Sequence, residues 1–83
     1  MKDIQQGYMA FFHEGREGVG AVTDVTADEI VVYVENFGPF TVPMSAVKDV
    51  HDSKVILERG RVSSTFLKAV AHAHDAEDPK LAG

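Results

Sequence analysis

The residues with the greatest capacity for chemistry are two histidines and an aspartate in the run His72-Ala73-His74-Asp75. Imidazole and carboxylate groups bind zinc or nickel, so the run suggests a metal site. Residues two apart on a helix point about 200° away from each other, because each residue turns the chain by about 100°. The two imidazoles cannot then bind one ion, and histidines at a helix end instead favour its dipole. The sequence therefore predicts no metal and no cofactor.

Hydrolytic chemistry is the second possibility, because acidic residues occur beside the predicted turns. These residues are Asp24, Asp28, Glu29, Asp49 and Asp52. Acidic residues are common at turns for conformational reasons, so their position alone does not indicate an acid pair. The chain has no cysteine, and all its serines fall at turn or cap positions, so no activated nucleophile is evident. We expect no enzyme activity.

The composition limits the classes of function. The chain has 83 residues and 45% hydrophobic residues, which is typical of one globular domain. The lack of cysteine excludes a disulfide scaffold and a thiolate metal site. The net charge of −5 argues against nucleic acid and anionic membranes as partners. No apolar run is long enough to span a bilayer and no secretory signal is evident, so we expect a soluble cytoplasmic protein.

Short apolar segments separated by turn residues indicate a small β-structure. Strands are predicted at residues 8–13, 19–26, 29–35, 40–42, 49–51 and 54–57. Gly15 and Gly18 suit the first turn, and Gly20 inside the second strand suggests a bulge or a close backbone approach. Pro43 cannot donate to a ladder, so the fourth strand ends there or lies at an edge, and residues 43–47 suit one turn of 3₁₀ or α-helix.

The third strand is apolar on both of its faces. Ile30, Val32 and Val34 lie on one face, whereas Val31 and Tyr33 lie on the other. A strand that is apolar on both sides requires cover on both sides. The cover of Val31 and Tyr33 could be the C-terminal helix, the N-terminal strand or a second subunit.

One amphipathic helix is predicted near the C-terminus. Ser63 or Ser64 can cap a helix that runs from about Thr65 to His74. Its apolar stripe is Phe66, Leu67, Val70 and Ala71. Such a short helix is not stable alone, so it must pack against another part of the protein.

Two segments carry a family resemblance. Residues 17–25 read Glu-Gly-Val-Gly-Ala-Val-Thr-Asp-Val, and residues 40–47 read Phe-Thr-Val-Pro-Met-Ser-Ala-Val. Together with residues 7–9 and 12–15, they resemble PRC-barrel-like domains: residues 17–25 resemble the opening segment of these domains, and residues 40–47 resemble the segment before their last hairpin. The resemblance covers roughly residues 7–57. It implies a small, mostly antiparallel β-barrel that functions in protein–protein contact and has no common catalytic residues.

The predicted fold is therefore mostly β, a small antiparallel PRC-barrel-like β-barrel of five to six short strands with one C-terminal amphipathic α-helix. Residues 1–60 form the barrel domain, residues 61–77 form a helix packed on the same domain, and residues 78–83 form a flexible tail.

The predicted function is a non-enzymatic protein-interaction module that self-associates, as a homodimer, or binds another protein. The aromatic residues around the third and fourth strands could stack nucleic acid bases, but the acidic balance favours core or subunit contact. The residues predicted for the contact are Val31, Tyr33, Phe37, Phe40, Phe66 and Val70. The alternative is an RNA- or ribosome-associated accessory protein, by analogy with one PRC-barrel relative.

Overall fold

The computed structural model describes residues 4–13 and 18–77, with the side chains of residues 74–77 outside the described set. The strands are β1 (Met9–Phe12), β2 (Gly18–Val25), β3 (Glu29–Val34), β4 (Gly38–Pro43), β5 (Val47–His51) and β6 (Lys54–Leu57). One 3₁₀ turn, Met44–Ala46, joins β4 to β5, and another, Arg59–Arg61, precedes the helix α1 (Ser64–Glu77). The protein is thus mostly β with one C-terminal helix, as the sequence predicts.

The six strands form one mixed sheet in the order β4-β3-β2-β1-β6-β5. Neighbouring strands are antiparallel except for β1 and β6, which are parallel. The sheet is therefore mixed, and the predicted antiparallel arrangement does not extend to this pair. Hairpin patterns specify only pairs of strands that follow each other in the chain, and the long connection between β1 and β6 permits either direction.

The sheet is open, with β4 and β5 at its two edges. One side chain of the helix nevertheless contacts two strands that are not neighbours in the sheet. The Phe66 ring lies 6.1 Å from the Phe12 ring of β1 and 5.7 Å from the Phe40 ring of β4, measured between centroids. Phe66 therefore packs between the side chains of two strands that have two other strands between them in the sheet.

Helix α1 covers one face of the sheet, which we call the inner face. Ser63 caps the helix as predicted, since the Phe66 N–H donates to Ser63 Oγ at 3.1 Å. The buried stripe differs from the predicted one, because Ala69 and Ala73 are buried with Phe66 and Val70, whereas Ala71 is exposed. This stripe follows the i, i+3, i+4, i+7 spacing of a helix face more closely.

The helix also extends three residues beyond the predicted end at His74, to Glu77. Acidic residues at a helix C-terminus cost only about 0.3–1 kcal/mol each, which is too little to end the helix. The predicted first turn at residues 14–17 and the predicted tail at residues 78–83 lie outside the described residues.

The turn between the predicted strands at residues 49–51 and 54–57 and the close backbone approach at Gly20 are confirmed. Asp52 and Ser53 form a two-residue turn with φ of 51° and 62°, between β5 and β6. A Cβ atom at Gly20 would meet the Tyr33 carbonyl oxygen and would lie 2.7 Å from Val32 Cγ1. Glycine is therefore required at this position, where the backbone of β3 leaves no room for a side chain.

Candidate functional site

The register of the strands divides the apolar residues between the two faces of the sheet. Val32 pairs with Val22 and Phe40, and all three point to the inner face. Tyr33 pairs with Ala21 across β2, and Ala21 pairs with Met9 across β1. Because directly paired residues point to the same side of a sheet, this row lies on the opposite, outer face.

Six apolar side chains of the outer face form a continuous band across β3, β2, β1 and β6. This outer apolar patch consists of Met9, Phe11, Ala21, Val31, Tyr33 and Ile56. Tyr33 is 47% exposed and Met9 is 41% exposed, and the other four are half-buried. Within the described part of the chain, no helix or strand packs over this band.

Gly18 leaves room on β2 for the side chains of two members of the patch. A Cβ atom at Gly18 would lie 3.0 Å from Met9 Cε and 3.8 Å from Phe11 Cε2. The two side chains therefore lie over the glycine and make contact with the same small area of β2. This arrangement keeps the patch continuous between β2 and β1.

Charged residues of opposite sign border the outer apolar patch. Asp24 pairs with Val31, and Glu29 follows in the same alternation, so both carboxylates lie on the outer face beside β2 and β3. Lys54 pairs with Met9 on the other side of the patch. The Lys54 Nζ atom lies 5.7 Å from the centroid of the Phe11 ring, within the range of a cation–π interaction.

The six residues predicted for the contact do not form one surface. Val31 and Tyr33 lie in the outer apolar patch, while Phe37 lies at the tip of the β3–β4 hairpin, 47% exposed, with its ring 6.3 Å from that of His72. Phe40 is half-buried on the inner face. Phe66 and Val70 are 0% and 5% exposed and belong to the core. Helix α1 therefore covers the inner face and leaves Val31 and Tyr33 uncovered.

Four members of the outer apolar patch were not predicted from the sequence: Met9, Phe11, Ala21 and Ile56. The signal for Met9, Phe11 and Ile56 is the same as that for β3. Strand β1 reads Met-Ala-Phe-Phe and β6 ends in Val-Ile-Leu, so both strands are apolar on both faces. Each of these runs requires a second cover, as the run in β3 does.

The histidines and acidic residues do not form a metal-binding cluster within the described residues. There, no group of three or more His, Asp or Glu side chains is arranged to hold a metal ion. The side chains of His74 and Asp75 are outside the described set. His72 is exposed on the helix, beside the Phe37 ring.

A depression of about 290 Å³ lies at the end of the outer apolar patch. It is lined by His13, Lys48, Asp49, His51 and Ile56. Two of its polar residues have local partners. Lys48 Nζ is 3.5 Å from a Glu58 carboxylate oxygen, and the Val50 N–H donates to Asp49 Oδ1 at 2.8 Å. The lysine and the aspartate of the lining have opposite charges, so the depression has no marked excess of charge with which to select a ligand.

No helix in the described part of the chain has the length and apolar character needed to cross a membrane. Comparison of the chain with protein-family models, curated proteins and solved structures finds no match. The resemblance to PRC-barrel-like domains therefore stays a prediction from the sequence.

Proposed function

We propose that this protein is a non-enzymatic interaction module that self-associates through the outer apolar patch. The observation that carries the proposal is the continuity of the patch across four strands, with Tyr33 47% exposed and Met9 41% exposed. The largest contiguous apolar patch on a protein surface is often an interaction site, whereas single exposed apolar residues are ordinary.

The charges beside the patch favour a second copy of the chain as the partner. Asp24 and Glu29 border one side, and Lys54 borders the other. A two-fold rotation that places two outer faces together can bring the acidic side of one copy over the basic side of the other. Asp49 lies on the same side as Lys54, but one of its carboxylate oxygens accepts the Val50 N–H. Opposite charges around an apolar centre favour the correct register and orientation of association.

The size of the patch indicates a weak dimer. Four strands of about four residues give an area of about 19 Å by 13 Å, on the order of 250 Å² in projection. A stable specific interface buries about 800 Å² on each partner. The patch alone is well below this size, so we expect weak association, with monomer and dimer in equilibrium in the micromolar range.

We also propose that the sheet and its helix form a PRC-barrel-like domain in a cytoplasmic protein. Its support is the presence of six short strands, the packing of Phe66 between β1 and β4, and the 3₁₀ turn Met44–Ala46 that connects the two edge strands. The RNA-associated alternative derives from the resemblance alone, and no feature of the outer face favours it.

The test is a concentration series of the unmodified chain and of Met9→Lys, measured by sedimentation equilibrium. The unmodified chain should change from the mass of one chain to that of two between low and high micromolar concentration. Met9→Lys places a charge in the centre of the patch, whose burial is costly without a partner, so this variant should remain a monomer. Its thermal unfolding should be close to that of the parent, because Met9 is 41% exposed.

Thr65→Lys is the matched control. It adds the same charge at an exposed position of helix α1, away from the outer face, and should dimerise like the parent. A parent that stays strictly monomeric at high micromolar concentration would overturn the proposal. So would a Met9→Lys variant that dimerises as well as Thr65→Lys.

A further inference from the structure

We infer that the second copy docks face to face on the outer apolar patch and does not extend the sheet. The sheet has two unpaired edge strands, but neither is suited to pair with a strand of another chain. The inference rests on the proposed self-association and defines how the partner binds. An open sheet offers two routes of association, through a face or through the unpaired backbone groups of an edge strand. The two edges of this sheet are β4 and β5.

The backbone of β4 presents few donors at its free edge. Tyr33 pairs with Pro39, and Glu29 pairs with Pro43. Because proline has no N–H, these pairs are the positions of the antiparallel ladder without mutual hydrogen bonds. The backbone groups of residues 38, 40 and 42 therefore point to β3, and those of residues 39, 41 and 43 point to the free edge. Of these three outward positions, only Thr41 has an N–H.

The edge at β5 is closed by a different device. The Val50 N–H donates to Asp49 Oδ1 at 2.8 Å, so a side chain of the same strand already occupies this donor. The pairing with β6 also shifts between Val47 and Asp49, which places Lys48 in a bulge. Bulges and charged side chains are common means by which edge strands avoid pairing with other chains. A strand of only five residues with these features offers little to an added strand.

The outer face lacks such obstacles. It presents the six side chains of the outer apolar patch, and its charged groups stand at the borders of the patch. Two sheets can pack face to face with their apolar side chains interdigitated, as in β-sandwiches. Association through the outer face is therefore favoured over association through the edge strands β4 and β5.

The experiment adds backbone N–H donors to the free edge of β4 in a variant whose outer apolar patch carries the Met9→Lys substitution. Pro39→Thr and Pro43→Thr together add two outward N–H groups and place a residue with high β-propensity at each position. We expect Met9→Lys alone to be a monomer, and Met9→Lys with both proline substitutions to associate again, with at least a doubling of its mass at high micromolar concentration. Pro39→Thr alone in the Met9→Lys chain serves if the triple variant does not fold, and it should regain part of the association.

A second measurement uses the unmodified chain. Hydrogen–deuterium exchange of the Thr41 amide should be equally fast at low and high protein concentration, because this N–H stays at a free edge in a face-to-face dimer. Slower exchange of Thr41 at the concentrations at which the dimer forms would overturn the inference. Folded proline variants that remain monomeric would also overturn it. A parent chain that never dimerises defeats the proposed function instead, while the proline variants still decide whether the edges are closed.

Discussion

The inner and outer faces of the sheet are built from alternate residues of the same strands, yet they have different roles. In β3, Ile30, Val32 and Val34 are fully buried under the helix, whereas Tyr33 on the other face is 47% exposed. An apolar strand of this kind requires two covers, and within the described residues the chain supplies one, helix α1. Burial of the inner face accounts for the stability of the fold. The apolar residues of the outer face are not needed for that burial, so they require another explanation.

The polar groups differ between the faces in the same way. Among the described residues, no polar or charged residue is buried, so the inner face is an entirely apolar core. The outer face keeps charged residues such as Asp24 and Lys54 beside its apolar centre. The charged residues allow this surface to be exposed to water in the monomer, and the apolar centre can still be buried on association. The comparison predicts that substitutions on the two faces affect different properties, namely stability and association.

The largest effect on stability is expected from Phe66→Ala on the inner side. The Phe66 ring is 0% exposed and contacts both Phe12 and Phe40, so its removal leaves a cavity between the helix and the sheet. We expect a loss of about 3–5 kcal/mol of the free energy of unfolding, measured by urea denaturation. That loss is a large part of the total of about 4–12 kcal/mol for a chain of this length.

Tyr33→Ala is the matched control for Phe66→Ala on the outer face. It also truncates an aromatic side chain, but one that is 47% exposed, and it should cost less than about 1 kcal/mol. It should instead weaken the dimer. Equal losses of stability for the two variants would contradict the separation of roles between the faces.

Gly20→Ala should produce the next largest loss of stability, because it affects the packing of β2 against the backbone of β3. The new Cβ atom would collide with the Tyr33 carbonyl oxygen, a backbone atom of the neighbouring strand that cannot move alone. We expect a loss of about 1–3 kcal/mol, the usual range for overpacking, measured by the midpoint of urea denaturation. Gly60→Ala is the control, since a Cβ atom there would have no heavy atom within 4 Å. Loss of stability at Gly60 as large as that at Gly20 would refute the steric explanation.

The secondary structure was largely predictable because local chemistry determines it. The two-residue turn at Asp52 and Ser53, the cap at Ser63 and the position of Pro43 on an edge strand all follow from the preferences of single residues. The close approach at Gly20 was predictable for the same reason. Each of these features depends on residues that are near each other in the chain.

The features that were not predicted depend on parts of the chain that are distant in sequence. The parallel pairing of β1 with β6 joins Met9 to Lys54, which no hairpin pattern connects. The assignment of Phe66 and Val70 to a contact surface followed from their apolar character, which does not distinguish a core from an interface. The helix covers the inner face and not the face of Val31 and Tyr33 because Phe66 contacts the inward-pointing rings of Phe12 and Phe40.

Ser63→Ala should give the smallest loss of stability among these predictions. It tests how much the N-terminal cap stabilises helix α1, which covers the inner face. Ser63 Oγ accepts the Phe66 N–H at 3.1 Å, at the first turn of helix α1. Loss of this cap should cost about 1 kcal/mol of the free energy of unfolding, measured by urea denaturation. The dimer should be unchanged, because the helix lies on the face opposite the outer apolar patch.

Ser64→Ala is the control for the cap, because Ser64 is the exposed first residue of the helix and alanine is favourable there. A loss of stability only at Ser63 assigns the effect to the hydrogen bond. A change in dimerisation caused by Ser63→Ala would show that the helix contributes to association as well as to the core. In that case the inner and outer faces would be coupled through the sheet, and Phe37, whose ring lies beside His72 at the tip of the β3–β4 hairpin, would be the first position at which to search for the connection.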